Sequence, residues 1–207
     1  MNPNVELKTM KNLSILWLSV ALTFSFPCFS RAQGNPEGAR FAREGMEAAK
    51  NKDWNKAVDA FRKAAELDRK QAPNLIAALQ QRGAAYTSEQ KFPEAIADFS
   101  EALKMKPNDT GIYERRAYVE MKMNDLDKAL ADYSEAIKLS PDEVRSYLYR
   151  GYIYERKGDI KSAMADTEKA LKLDKHNAEA LGRKERLQKI QSMNTPAAAP
   201  TAPNRRN

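Results

Sequence analysis

The feature that most constrains the fold of this chain is an internal repeat of about 34 residues. Four stretches align with one another: KAVDAFRKAAELD, EAIADFSEALKMKP, KALADYSEAIKLSP and SAMADTEKALKLDK. Their first alanines are spaced by 38, 34 and 34 residues and are Ala57, Ala95, Ala129 and Ala163. Twelve positions before each alanine lies another small residue, namely Gly45, Gly83, Ala117 and Gly151. A fixed period of this length is typical of arrays whose units stack on their neighbours to bury a continuous core.

Each repeat has the pattern of two amphipathic helices separated by a short polar break, such as Asn124-Asp125 or Gly158-Asp159. The composition also favours helix over sheet, because the 207 residues contain only 8 Gly and 10 Pro, with abundant Ala, Lys, Glu and Leu. Glycine or alanine in the first helix lets the second helix approach closely. We therefore predict an all-α chain of stacked helix pairs.

The period, the small residues and the aromatic residues Phe61, Phe99 and Tyr133 resemble the tetratricopeptide repeat (TPR) family. The resemblance implies a right-handed α-solenoid of four helix-turn-helix TPR repeats with a C-terminal capping helix. Two departures from the family pattern are Glu120, at an aromatic position of the first helix, and Thr167, at the aromatic position of the second helix. We predict repeats at 38–71, 76–109, 110–143 and 144–176, a capping helix at 177–192 and a disordered Pro/Ala-rich tail at 193–207.

Residues 1–32 have the composition of a secretory signal peptide. Lys8 and Lys11 precede an apolar-rich run at 13–26, and small residues follow. Because this run is shorter than the ~20 residues that span a bilayer as a helix, a cleaved signal is favoured over a retained anchor. We expect an exported protein, periplasmic or secreted and of a bacterial envelope, without stable membrane insertion after cleavage.

The chain has one histidine, His176, and one cysteine, Cys28. These counts exclude a disulfide framework and a zinc site built from Cys and His ligands. The sequence also lacks a phosphate-binding glycine loop, a dinucleotide-binding turn and a nucleophile elbow. We therefore predict a non-enzymatic protein without cofactor or metal. The alternative is a secreted enzyme or enzyme subunit that uses carboxylates alone, which requires two buried acids converging in a pocket.

The net charge of +7 falls to +5 when the signal is removed. The remaining cations alternate with acids along most of the predicted helices, as on ordinary solvated helix surfaces. Nucleic acid is therefore not a predicted partner.

Arginine and aspartate recur together in three of the four repeats. Each arginine directly precedes the small residue, and each aspartate follows its arginine by 16 positions. Repeat one lacks both residues. Because the two positions appear and vanish together, and a guanidinium matches a carboxylate, we predict three structural ion pairs. The pairs are Arg82 with Asp98, Arg116 with Asp132 and Arg150 with Asp166.

A candidate binding groove follows from helix geometry. One stripe of each first helix spans only about 60° at 100° per residue, and the resemblance implies that this stripe lines the concave surface. Tyrosine and basic side chains on it would favour a partner with acidic side chains or a free carboxylate. The alternative is that the tyrosines pack on neighbouring helices while the cations are merely solvated. The candidate groove residues are Gln81, Arg115, Tyr118, Lys122, Arg145, Tyr149, Tyr152 and Arg156.

Some relatives in the family bind acidic C-terminal tails of heat-shock chaperones through a fixed set of basic and amide side chains on three first helices. At the matching positions of repeats one to three this chain has Ala42 and Met46, then Gln81, then Gly111 and Arg115. At those of repeats two to four it has Gln80 and Ala84, then Arg115, then Arg145 and Tyr149. Neither register fits the set. We therefore do not expect that particular activity.

These observations predict a protein–protein interaction scaffold or adaptor that binds an extended peptide or a partner helix in the concave groove. The alternative interaction mode uses the convex face or the capping helix to join an envelope assembly. Neither the partner nor the oligomeric state follows from the sequence.

Overall fold

A computed structural model describes residues 35–194. The predicted signal peptide and most of the predicted tail lie outside these residues. Within them the chain forms nine α-helices and one 3-10 turn. The helices are α1 (Pro36–Lys50), α2 (Trp54–Leu67), α3 (Ala72–Ser88), α4 (Phe92–Met105), α5 (Thr110–Lys122), α6 (Leu126–Leu139), α7 (Val144–Arg156), α8 (Ile160–Leu173) and α9 (Ala178–Asn194).

The helices form sequential antiparallel pairs, and each pair packs on the next. The predicted all-α solenoid of four helix pairs followed by a further helix is thereby confirmed. First helices also contact first helices, as α3 does with α5 and α7 with α9. They therefore form the inner face of the array. The 3-10 turn at Arg69–Gln71 takes up the longer connection between the first and second repeats.

The break between the two helices of each repeat has one residue in the left-handed region. These residues are Lys52, Gln90, Asn124 and Gly158, with φ between 57° and 78°. The left-handed conformation ends the first helix and turns the chain back. Only Gly158 could be identified from sequence, because glycine alone adopts this region at no steric cost.

The small residue of the first helix lies against an aromatic ring of the second. A Cβ atom at Gly45 would lie 2.8 Å from the ring of Phe61, and one at Gly83 would lie 2.9 Å from the ring of Phe99. Both distances are too short for any side chain. The glycines are therefore required for the close approach of the two helices in the first and second repeats.

Replacing Gly83 by alanine is expected to lower the free energy of unfolding by roughly 1–2 kcal/mol, because the ring of Phe99 must shift to admit the methyl group. This cost outweighs the ~0.5–1 kcal/mol by which alanine normally favours a helix. Gly182→Ala is the matched control, since the nearest atom to its Cβ is 3.9 Å away. Chemical denaturation should find the control unchanged or stabilised, and an equal loss in both variants would contradict the packing argument.

Helix α9 buries more than its polar sequence indicates. Ala180 and Leu187 are fully buried, and Arg183 is only 1% exposed. The guanidinium of Arg183 donates to the carbonyl oxygen of Leu148 at 2.5 Å and to the carboxylate of Glu179 at 2.8 Å. The helix therefore closes the end of the array with a buried hydrogen-bonded arginine as well as apolar contacts.

Candidate peptide-binding groove

The three arginine–aspartate sets are present as bidentate ion pairs within their repeats. In each pair Nε and Nη2 of the arginine donate to the two carboxylate oxygens at 2.6–2.9 Å. The aspartates are buried, with 4–6% exposure. Arg116 and Arg150 also donate to serines of the preceding repeat, Ser100 at 3.0 Å and Ser134 at 3.1 Å. These pairs therefore connect helices and neighbouring repeats and leave no guanidinium free for a ligand.

A cavity of about 320 Å³ lies on the inner face where α3, α5 and α7 meet. Phe99 and Tyr133, each 1% exposed, lie beneath it. Four of the predicted groove residues line it, and the other four lie outside it. The lining residues are Ala84, Thr87, Phe99, Gly111, Glu114, Arg115, Tyr118, Tyr133, Arg145 and Tyr149.

Three tyrosines from successive helices form one wall of this cavity. The ring of Tyr149 stacks on Tyr133 with centroids 5.6 Å apart and meets the ring of Tyr118 edge-on at 6.1 Å. Tyr118 and Tyr149 are half-buried and pack on their neighbours, yet both retain a surface on the cavity. Both interpretations of these tyrosines, packing and ligand contact, are therefore compatible with the geometry.

The cations on the groove differ in how far they are engaged. Arg145 forms an ion pair with Glu114, whose carboxylate is 7% exposed and also accepts a hydrogen bond from Ser146 at 2.6 Å. The hydrogen bond that Arg145 donates to Glu114 raises the pKa of Arg145 above its usual range. Arg115, by contrast, is exposed and has no hydrogen-bonding or ion-pair partner within residues 35–194.

The predicted residues outside the cavity continue along the same face. Lys122 lies 5.2 Å from the ring of Tyr118, and Arg156 lies 5.9 Å from the ring of Tyr152, which is 38% exposed. Arg156 also donates to the side-chain oxygen of Asn124 at 2.7 Å. Gln81 is exposed on α3 away from the cavity.

Sequence reasoning missed Glu114 and Tyr133. Glu114 of the third repeat pairs with Arg145 of the fourth. The positions equivalent to Glu114 in the other repeats are Ala42, Gln80 and Leu148, so no periodic signal reveals the pair. Tyr133 occupies the core position that is Phe61 and Phe99 in the first two repeats. Its hydroxyl is buried without a hydrogen-bond partner, and burial, followed by the nearby Tyr149 and Glu114, raises its pKa far above the usual value. The available sequence signal was a tyrosine at a position where the first two repeats have phenylalanine.

Buried acids do not converge on the groove cavity. Glu120 is 4% exposed, and its Oε2 has no hydrogen-bond partner. Burial first, and then the charge of Asp132, raises the pKa of Glu120 to about 7. However, Asp132 is bound by Arg116, and neither acid lines the cavity. This arrangement does not match the pair of acids in a pocket that the carboxylate-enzyme alternative requires.

Two further findings bear on the kind of site present. In the described part of the chain, no group of three or more His, Cys, Asp and Glu side chains is placed to hold a metal ion. Within residues 35–194, no helix is both long and apolar enough to cross a membrane.

Comparison with known proteins agrees with this architecture. Tetratricopeptide repeat models match residues 76–109 and 144–177, and a further TPR repeat model matches residues 117–158. The curated relative "Heat shock protein STI1" of Saccharomyces cerevisiae is 33% identical over 86 residues, which cover 42% of this chain and 14% of the yeast protein. The chain thus spans only a small part of that relative.

Solved structures share the fold at lower identity. A tetratricopeptide repeat protein from Parabacteroides merdae superposes with a TM-score of 0.63 at 20% identity, over 77% of this chain and 62% of that one. The first TPR of Spaghetti (RPAP3), bound to the HSP90 peptide SRMEEVD, gives a TM-score of 0.54 at 21% identity, over 56% of this chain and 93% of that one. Residues 76–109 and 117–177 therefore match tetratricopeptide repeat models, and the solved structures share the fold of the array.

Proposed function

We propose that this chain is a non-enzymatic adaptor that binds an acidic peptide, or an acidic partner helix, on the inner face of repeats two to four. The observation that carries the proposal is the cavity between α3, α5 and α7, with its tyrosine wall and the unpaired Arg115. Tyrosine contributes large contact area at low conformational entropy cost, and an exposed guanidinium attracts carboxylates.

The similar domain of Spaghetti (RPAP3) supports this proposal because it is bound to a peptide that contains acidic residues, SRMEEVD. TPR scaffold families are typically non-enzymatic. We further propose that the adaptor is exported to a bacterial envelope, since residues 1–32 have the composition of a signal peptide.

The charge of the groove supplies the test. Random peptides displayed on phage are selected on the full chain, and synthetic copies are titrated by fluorescence anisotropy. We expect acidic peptides that bind more weakly as salt is added. The double variant Arg115→Glu, Lys122→Glu should reduce their affinity about tenfold or more, because it turns attraction into like-charge repulsion.

The matched control is Lys104→Glu with Lys172→Glu, which changes the net charge equally. Both lysines are exposed on second helices, α4 and α8, and neither lines the cavity. Affinity should remain within about twofold of the unmodified chain, since exposed charges farther apart than a Debye length are screened. Equal losses in both double variants, or no enriched peptide at all, would contradict binding in the groove.

A further inference from the structure

Gly111 is the one glycine in the lining of the cavity. A Cβ atom at Gly111 would have only one neighbour within 4 Å, Asp109 Oδ1 at 3.4 Å. Four aromatic side chains contribute to the lining, of which Tyr118 and Tyr149 are half-buried and Phe99 and Tyr133 are buried beneath the surface. With a volume of about 320 Å³, the cavity is large enough for one bulky side chain of a peptide together with its backbone.

Glu114 controls how the interior of the cavity receives a carboxylate. It is buried beside Tyr133 and already has Arg145 and Ser146 as partners. An entering carboxylate would meet an arginine that Glu114 already neutralises, and it would gain less there than at a free guanidinium. An entering cation would face Arg115 and Arg145. An uncharged side chain needs no ionic partner and meets no repulsion.

Arg115 provides the complementary charge outside the cavity. It lines the cavity, is exposed, and has no ion-pair partner among the described residues. Arg145, the other lining arginine, is engaged by Glu114. One free guanidinium suits one acidic side chain adjacent to the inserted group. It does not suit a C-terminal residue that presents a side-chain carboxylate and a terminal carboxylate together.

Building on the proposed function, we propose that the groove recognises an internal segment of its partner and not a free C-terminus. One large aromatic or aliphatic side chain occupies the cavity, and one neighbouring Asp or Glu contacts Arg115. Glu114 acts as the specificity-determining residue, because its carboxylate engages Arg145 and so withholds that guanidinium from a ligand carboxylate.

The first test fills the cavity. Segments selected from a phage library in which the C-terminus of each peptide is fused to the coat protein are titrated against the full chain and two variants. Gly111→Leu adds a side chain at the mouth of the cavity and should weaken binding about tenfold. Gly111→Ala adds one methyl group in ordinary contact with Asp109 Oδ1 at 3.4 Å, and it should change binding less than about twofold. Thermal melts of both variants should match that of the parent chain, showing that folding is retained.

The second test uses SRMEEVD as a probe with a free C-terminus and with an amidated one. The parent chain should bind both forms weakly and equally. Glu114→Gln keeps the shape of the side chain but removes its charge and releases Arg145 from a full ion pair. It should raise the affinity for the free-acid form about tenfold over the amide, since a guanidinium–carboxylate pair then forms with the ligand.

The outcomes separate this inference from the proposed function. If the parent chain prefers free-acid SRMEEVD over the amide by about tenfold, the groove binds peptides but the internal-segment inference is wrong. If selected segments bind and Arg115→Glu with Lys122→Glu abolishes binding, but Gly111→Leu does not weaken it, the cavity is not the anchor. If no peptide binds in any format, both the inference and the proposed function fail.

Discussion

Replacing Asp98 by alanine is expected to lower the free energy of unfolding by about 3 kcal/mol. Asp98 is 4% exposed and holds the guanidinium of Arg82 through two hydrogen bonds of 2.7 and 2.8 Å. Removing one partner of a buried pair leaves the other charge without compensation, which typically costs about 3–5 kcal/mol. Chemical denaturation of the full chain measures the loss. The lower end of that range applies because the Arg82 side chain is 17% exposed and retains some water.

Glu101→Ala is the matched control, since Glu101 lies in the same helix, three residues away. Its ion pair with Arg62 is more exposed, with 32% and 40% exposure of the two side chains. Pairs of this kind contribute roughly 0–1 kcal/mol. Comparable losses for Asp98→Ala and Glu101→Ala would show that burial of the aspartate does not determine the contribution of the pair.

Stability should decrease as the pH rises from about 4 to 8, because of Glu120. Its pKa in the folded chain is about 7, compared with a reference value of 4.5. Between these values the folded state binds a proton that the unfolded state has lost, so each increase in pH favours unfolding. Above about pH 7 both states are ionised and the effect is complete. The full difference of the two pKa values corresponds to roughly 3 kcal/mol.

The variant Glu120→Gln isolates this contribution, since all other titrating groups are shared. The unfolding free energy of the variant relative to the parent chain should rise by roughly 3 kcal/mol between pH 4 and pH 8. Urea denaturation at the two pH values measures this difference. A difference that stays constant would contradict the assignment of a protonated Glu120 to the folded chain near pH 6.

The physical origin of this effect is a single departure from the repeat pattern. At the position of Glu120 the second and fourth repeats have Tyr86 and Tyr154, whose rings lie 5.8 and 5.9 Å from Arg82 and Arg150. In the third repeat Arg116 forms its ion pair with Asp132, and Oε2 of Glu120 has no hydrogen-bond partner. The sequence showed the departure but could not show its burial, which requires the packing of α5 on α6.

The candidate groove was only partly predictable. Helical periodicity placed Arg115, Tyr118, Arg145 and Tyr149 on one stripe, and all four line the cavity. Periodicity says nothing about which stripe residues bind one another, however. Arg145 lies near a buried acid two helices away, and Tyr149 stacks on a ring of α6. Those contacts depend on distances between helices, and a single-helix projection contains no such distances.

The sequence by itself determined the features that repeat. The 34-residue period predicted the stacked helix pairs. The joint recurrence of arginine and aspartate predicted three ion pairs, because two residues that recur together in several repeats are expected to contact each other. Only the tertiary structure decided the features that occur once. The burial of Glu114 and Glu120, the unpaired Arg115 and the tyrosine wall each arise where side chains of neighbouring repeats differ. Whether these side chains have partners depends on which helices, far apart in sequence, come within contact distance.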